Sequence, residues 1–154
     1  MSEDVPKPMF AVDQMLGSLA KWLRMLGYDT VYDKTMDDKQ IAAAARADNR
    51  FILTRDKELS KEPGAMLIET EDLEAQLTAV REKFGLKFSE DTIRCTQCNG
   101  ELVSLPKEEA KGSVPEGAFA SNDKFWKCGG CGKVYWRGSH WLGIMERFRK
   151  LNLA

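Results

Sequence analysis

Two Cys-x-x-Cys pairs, Cys95/Cys98 and Cys128/Cys131, hold every cysteine of the 154-residue chain and constrain its C-terminal part more than any other feature. Each pair presents two thiols from one tight turn, and Gly129, Gly130 and Gly132 supply the backbone freedom that a metal knuckle needs. Four thiolates suit tetrahedral Zn²⁺. A closed all-thiolate shell leaves no open position for catalysis, so the expected ion is structural. Neither pair opens an apolar helix, as a redox Cys-x-x-Cys does; disulfides and free thiols are the competing readings. The 29 residues between the pairs exceed the common spacing and require a long hairpin or an insertion.

Upstream of residue 93 the pattern is different. Met9–Asp13, Thr30–Asp33, Phe51–Thr54 and Met66–Ile68 read as short strands. Leu16, Leu19, Leu23 and Leu26 form one stripe of a helix closed by Gly27, and Asp37 or Asp38 caps a second helix running through Ile41 to Ala47. Helical spacing returns from Glu71 to Phe84 through Leu73, Leu77 and Val80. This alternation predicts an α/β fold, a parallel sheet covered by helices on both faces. The chain is expected to divide into an α/β domain over 8–92 and a small β module over 93–154. The module carries strands such as Lys133–Trp136, a polar stretch from Lys107 to Gly117, and a short basic helix across Ile144 to Leu151.

Charge divides along the same line. Residues 1–92 carry 13 Lys and Arg against 18 Asp and Glu, a net of −5, whereas residues 93–154 carry 10 against 6, a net of +4. An acidic half beside a basic, aromatic-bearing half fits a metal-dependent enzyme acting on a polyanion; ordinary solvated surfaces fit equally well. With 43% hydrophobic residues the chain can bury a real core, which excludes wholesale disorder. No apolar run approaches the roughly 18 residues of a membrane span, and the acidic start lacks the apolar core of a secretory signal. A cytoplasmic protein with no membrane partner is expected.

Acidic residues recur at one end of the expected sheet. Asp13 and Asp33 end the first two strands, Asp56 lies just beyond the third, Glu69, Glu71 and Asp72 follow the fourth, and Asp37 and Asp38 begin the second helix. In open parallel sheets the ligand crevice lies outside the carboxyl ends of the strands. Clustered carboxylates repel unless a cation neutralises them, which suggests hard divalent ions, Mg²⁺ or Mn²⁺. Each acid also has a plain alternative, as a cap, a loop residue or solvated surface.

The run FAVDQMLGSLAKWLRMLGYDT from Phe10 to Thr30, followed by Met36-Asp37-Asp38, by Ile52 to Asp56 (ILTRD), by the two cysteine pairs and by Tyr135 to His140 (YWRGSH), resembles the Mut-seven C-terminal RNase domain family. The resemblance spans roughly residues 9–145. It implies a PIN-like nuclease fold with an appended zinc ribbon, in which Asp13, Asp38 and Asp56 hold the catalytic metal. Asp37 is an adjacent candidate, and no residue clearly matches the fourth acid usual in PIN domains. The implied chemistry is phosphodiester hydrolysis, in which a carboxylate-bound Mg²⁺ or Mn²⁺ activates water and stabilises the leaving oxyanion.

Substrate contacts are expected from Lys21 and Arg24, near one another on the first helix, from Arg55 beside Asp56, and from Arg137, Arg147, Arg149 and Lys150 in the basic half. The aromatics Trp126, Tyr135, Trp136 and Trp141 can stack bases, or can fill the core of a small module. The expected protein is a metal-dependent endoribonuclease with RNA, structured or ribosome-associated, as its partner. The alternative is a non-catalytic RNA- or ribosome-binding zinc-ribbon protein.

Overall fold

The computed structural model describes residues 6–154. Strands β1 (Phe10–Val12), β2 (Thr30–Val31), β3 (Phe51–Thr54) and β4 (Ala65–Leu67) form a fully parallel sheet in the order β2-β1-β3-β4. Helices α1 (Gly17–Leu26), α2 (Asp38–Asp48) and α3 (Leu73–Phe84) connect or follow them. Side chains alternate across the sheet. Phe10, Val12 and Leu53 join the core under α1 and α3, while Ala11 and Ile52 face Ile41, Ala42 and Ala45 of α2. Both faces are therefore covered, as the alternation predicts. The leucine stripe is the reason α1 sits where it does, because Leu16, Leu19, Leu23 and Leu26 are all buried.

Beyond residue 93, β5 (Leu102–Leu105), β6 (Phe125–Cys128) and β7 (Val134–Trp136) form an antiparallel sheet in that order. Between β5 and β6 lie two short helices, α4 (Lys107–Ala110) and α5 (Glu116–Ser121). The first lies within the Lys107 to Gly117 stretch read from sequence as merely polar, and the second begins at its end and runs past it. Each is short and has a proline immediately before its first turn, Pro106 and Pro115, so no hydrophobic period announces it. They pack inward through Ala110, fully buried, and Phe119, whose ring lies 6.2 Å from that of Phe125.

The last helix, α6 (Trp141–Lys150), begins three residues before the span read from sequence and returns to the first core. Phe148 is fully buried against Trp22 and Phe88, at ring separations of 5.6 and 5.3 Å, and the Phe88 amide donates to the Leu153 carbonyl at 2.7 Å. Among the described residues, no helix is long and apolar enough to cross a membrane.

Candidate acidic site and cysteine cluster

Asp13 leaves the end of β1 directly beside β3. Its carboxylate is buried and fully engaged: Oδ1 accepts the Met15 amide at 2.9 Å, and Oδ2 accepts the Thr54 hydroxyl at 2.5 Å and the Arg55 amide at 2.9 Å. Thr54 acts as a relay, because its oxygen also accepts the Asp56 amide at 2.9 Å. The end of β3 thus orients both aspartates. In the sequence Thr54 stands inside the Ile52 to Asp56 run, but nothing there marks its hydroxyl as the link between the two aspartates.

Asp38 is the first residue of α2, with the Asp56 carboxyl beside it. Lost hydration, followed by the carboxylates of Asp56, Asp13 and Asp37, holds Asp38 above the ordinary carboxylate range. Asp56, whose carboxylate accepts the Glu58 amide at 2.8 Å and lies beside Asp38, is held below it. Thr54 thus links Asp13 and Asp56 at the carboxyl ends of β1 and β3, and Asp38 stands beside Asp56 at the start of α2.

The other acids have local employment. Asp37 is the N-cap of α2 and makes a capping box with Gln40, with bonds of 2.9 and 2.8 Å. Asp33 accepts the Thr35 amide and hydroxyl, Asp72 caps α3, and exposed Glu71 lies 3.8 Å from the Arg55 guanidinium.

Among the expected substrate contacts, Arg24 has a different placement. It is buried, and its guanidinium donates to the carbonyls of Thr30 at 3.0 Å, Thr96 at 2.9 Å and Tyr32 at 3.5 Å. It clamps β2 to the first cysteine turn and is not available to a phosphate. The partners lie up to 72 residues away, which no helical-face argument can foresee. Arg24→Met should destabilise the protein by about 3 kcal/mol, because it leaves buried carbonyls without donors. Urea unfolding checks this, and an unchanged midpoint would remove Arg24 from the role. Lys21 is exposed on α1, and the Arg55 side chain is half-buried beside Asp56. Arg147 and Lys150 share Glu74 at 3.4 and 3.8 Å, Arg149 pairs with Glu146 at 3.1 Å, and Arg137 pairs with Glu90.

The cysteine sulfurs form a single cluster, all within 4.8 Å of one another, with Cys95 to Cys131 at 3.7 Å and Cys98 to Cys128 at 3.4 Å. A tetrahedron of metal–sulfur bonds near 2.3 Å has edges of about 3.8 Å, so this donor set fits a tetrahedral ion. The second turn is built for thiolate. Burial opposes ionisation of Cys128, yet amides of Cys131 and Gly130, donating at 3.4 and 3.3 Å, bring it down to about 6, whereas Cys98, facing the Cys128 sulfur, is pushed up to about 11. A Cβ at Gly100 would lie 2.6 Å from the Cys128 sulfur, so only glycine leaves room for the cluster.

Asn99, which sequence reasoning passed over, and Tyr135, read from sequence as a base-stacking or core aromatic, fix this cluster to its surroundings. Asn99, in the left-handed region at φ 70°, accepts the Thr30 amide at 2.9 Å and donates to Asp29 at 2.6 Å, docking the first cysteine turn on the edge strand β2. The Tyr135 hydroxyl lies 2.9 Å from the Cys95 sulfur; burial and then that sulfur push it up to about 12, so it stays a donor to the thiolate.

A parallel α/β sheet with aspartates grouped at its carboxyl edge, joined to an antiparallel module that presents four cysteines for one metal ion, defines the class of this protein. Its family model is the Mut7-C RNAse domain, which matches residues 8–148, and the chain belongs to that family. No curated protein matches the sequence.

Proposed function

We propose that the protein is a Mg²⁺- or Mn²⁺-dependent endoribonuclease with a PIN-like domain over 8–92 and a zinc ribbon within 93–154. One observation supports this reading above the others: Thr54 links buried Asp13 to Asp56 at the carboxyl ends of adjacent strands, with Asp38 beside Asp56 at the start of α2, in a family described as an RNAse domain. The three carboxylates would hold the catalytic ion. Among the described residues only the cysteines gather their ligand atoms into one group, so an ion held by these aspartates would keep waters in the rest of its shell, as Mg²⁺ does. Such an ion supplies an activated water and neutralises charge on the leaving oxyanion.

The chain's own contribution is orientation and charge. Thr54 and the Met15 and Arg55 amides fix Asp13, and the Glu58 amide keeps Asp56 ionised. Asp37 is reserved to the cap of α2 and assists by holding the start of that helix, and with it Asp38, at the site. Phosphates of the strand would meet Lys21 and Arg55 near the acids, and Arg147, Arg149 and Lys150 on α6. The ion pairs of α6 with Glu74 and Glu146 lie largely at the surface and exchange readily for phosphate. The cysteine cluster holds Zn²⁺ and has no open position for chemistry.

The experiment is incubation of purified protein with mixed structured and unstructured RNAs, with and without Mn²⁺, followed by end-mapping. Internal cleavage that requires the divalent ion is expected. Retarded but intact RNA under all conditions would favour a binding module instead.

A further inference from the structure

The small module leaves its tryptophans in an unexpected place. Its core is Phe125, fully buried between the α4–α5 insertion and the sheet, while Trp126, Tyr135, Trp136 and Trp141 remain half-exposed. These four do not fill the core. Ser104, Trp126 and Tyr135 are cross-strand neighbours on β5, β6 and β7 and so share one face of the sheet. With Arg137, Glu90 and the first residue of α6, Trp141, they enclose a cavity of about 200 Å³. That is smaller than the roughly 300 Å³ or more of a site enclosing a drug-sized ligand, and leaves room for one flat ring system.

Arg137 decides what the cavity accepts. Its guanidinium lies 5.4 Å from the Trp126 ring and 5.6 Å from the Trp141 ring and is paired with Glu90. The position that an aromatic cage offers to a cationic ligand is therefore already filled by the protein's own cation. A second cation would be repelled, and a phosphate would meet Glu90 and Asp91 at the rim. A neutral heteroaromatic ring meets neither obstacle. It can stack on indole or guanidinium, and an exocyclic amino group can donate to the carboxylates of Glu90 or Asp91.

We infer that this cavity is a nucleobase pocket, which captures one unpaired, amino-bearing base of the RNA strand, adenine or cytosine for example. The inference rests on RNA being the substrate and deepens that reading: the module recognises an extruded base, not only the phosphate backbone. Stacking in such pockets tolerates several bases, and the carboxylates bias it against uracil, which lacks an amino donor.

The test uses the full chain without added divalent ion, so that binding is read independently of cleavage. Single-stranded hexamers of adenylate, cytidylate and uridylate, an abasic hexamer and free AMP are titrated while indole fluorescence is followed. Adenylate and cytidylate hexamers should quench the indoles and bind more tightly than uridylate. Trp126→Ala and Trp141→Ala should weaken them roughly tenfold or more, with an unchanged slope of affinity against salt, since no phosphate contact is removed. Trp126→Phe and Trp141→Phe, which keep a ring, should retain most of the affinity. If an alanine variant loses its metal or its circular dichroism, the parent still decides: equal binding of abasic and base-bearing hexamers overturns the pocket. AMP binding as tight as the hexamers would overturn the assignment to an RNA strand. Quenching by tetramethylammonium but by no hexamer would mark a cation cage for a protein partner and overturn the inference. Loss of cleavage activity alone touches the proposed chemistry and leaves this result standing.

Discussion

Substituting Cys128 by serine, or removing the metal with a chelator, is expected to unfold the three-stranded module while the parallel-sheet domain stays folded. Between residues 93 and 140 the fully buried apolar side chains are only Ala110 and Phe125, beside Cys95 and Cys128. So small a core cannot offset the entropy of ordering three strands and two short helices. Metal binding supplies the difference, at about 10–16 kcal/mol for structural zinc in comparable small modules. The loss should stop short of the chain's end, because Phe148 and Leu153 belong to the core under α1 and α3. It should reach β2, where the Thr30 amide loses Asn99 and the Arg24 guanidinium loses the Thr96 carbonyl. Elemental analysis should find one zinc per chain. Limited trypsin digestion of Cys128→Ser should open Lys107, Lys111, Lys124, Lys127 and Lys133 while α6 remains protected. Protein isolated without zinc, or an unchanged digestion pattern, would contradict the assignment.

The parts of this molecule that were legible in the sequence are those set by short-range rules. The four leucines of α1, the alanines of α2 and the apolar triplets of β1 and β3 each carry their own period, and the sheet follows from their alternation. Asp13 and Asp56 were legible because a strand's end is a definite place in a parallel sheet. What stayed hidden depends on contacts between distant segments. Arg24 reads as one cation of an exposed helical face until Thr96 is brought to it. The tryptophans read as either base-stacking or core residues, and the α4–α5 insertion, which places Phe119 against Phe125, relieves them of the second task. Asp37 and Asp38 are chemically alike in the sequence. Helix geometry separates them, turning the first inward as a cap and leaving the second facing Asp56.

That separation makes Asp38→Asn the cleanest probe of the proposed site, with two effects of opposite sign. Cleavage in Mn²⁺ should fall by roughly a hundredfold or more, since a metal-bound water and a neutralised leaving group together supply several kcal/mol. Stability of the metal-free protein should rise. Asp38 binds its proton more tightly when folded, so its contribution is favourable below the unfolded carboxylate pKa and becomes a cost as pH rises through its folded value. The variant should therefore gain on the parent across the carboxylate range, roughly pH 3 to 6, and keep that gain at neutral pH. The gain should stay below about 1 kcal/mol, because Asp38 is exposed and solvent screens the repulsion. Asp13→Asn behaves differently. Its buried oxygens accept three hydrogen bonds, and an amide NH₂ in place of one oxygen confronts donors, at a cost of about 1–3 kcal/mol. Asp56→Asn also loses stability, because the depressed folded pKa contributes stability above the unfolded value that disappears as pH falls through the folded one. Thermal unfolding from pH 3 to 8 beside cleavage assays reads both effects on each variant. Asp38→Asn that cleaves RNA at the parental rate would place the catalytic ion elsewhere, whereas loss of cleavage with the predicted gain in stability ties the activity to this carboxylate and not to a damaged fold.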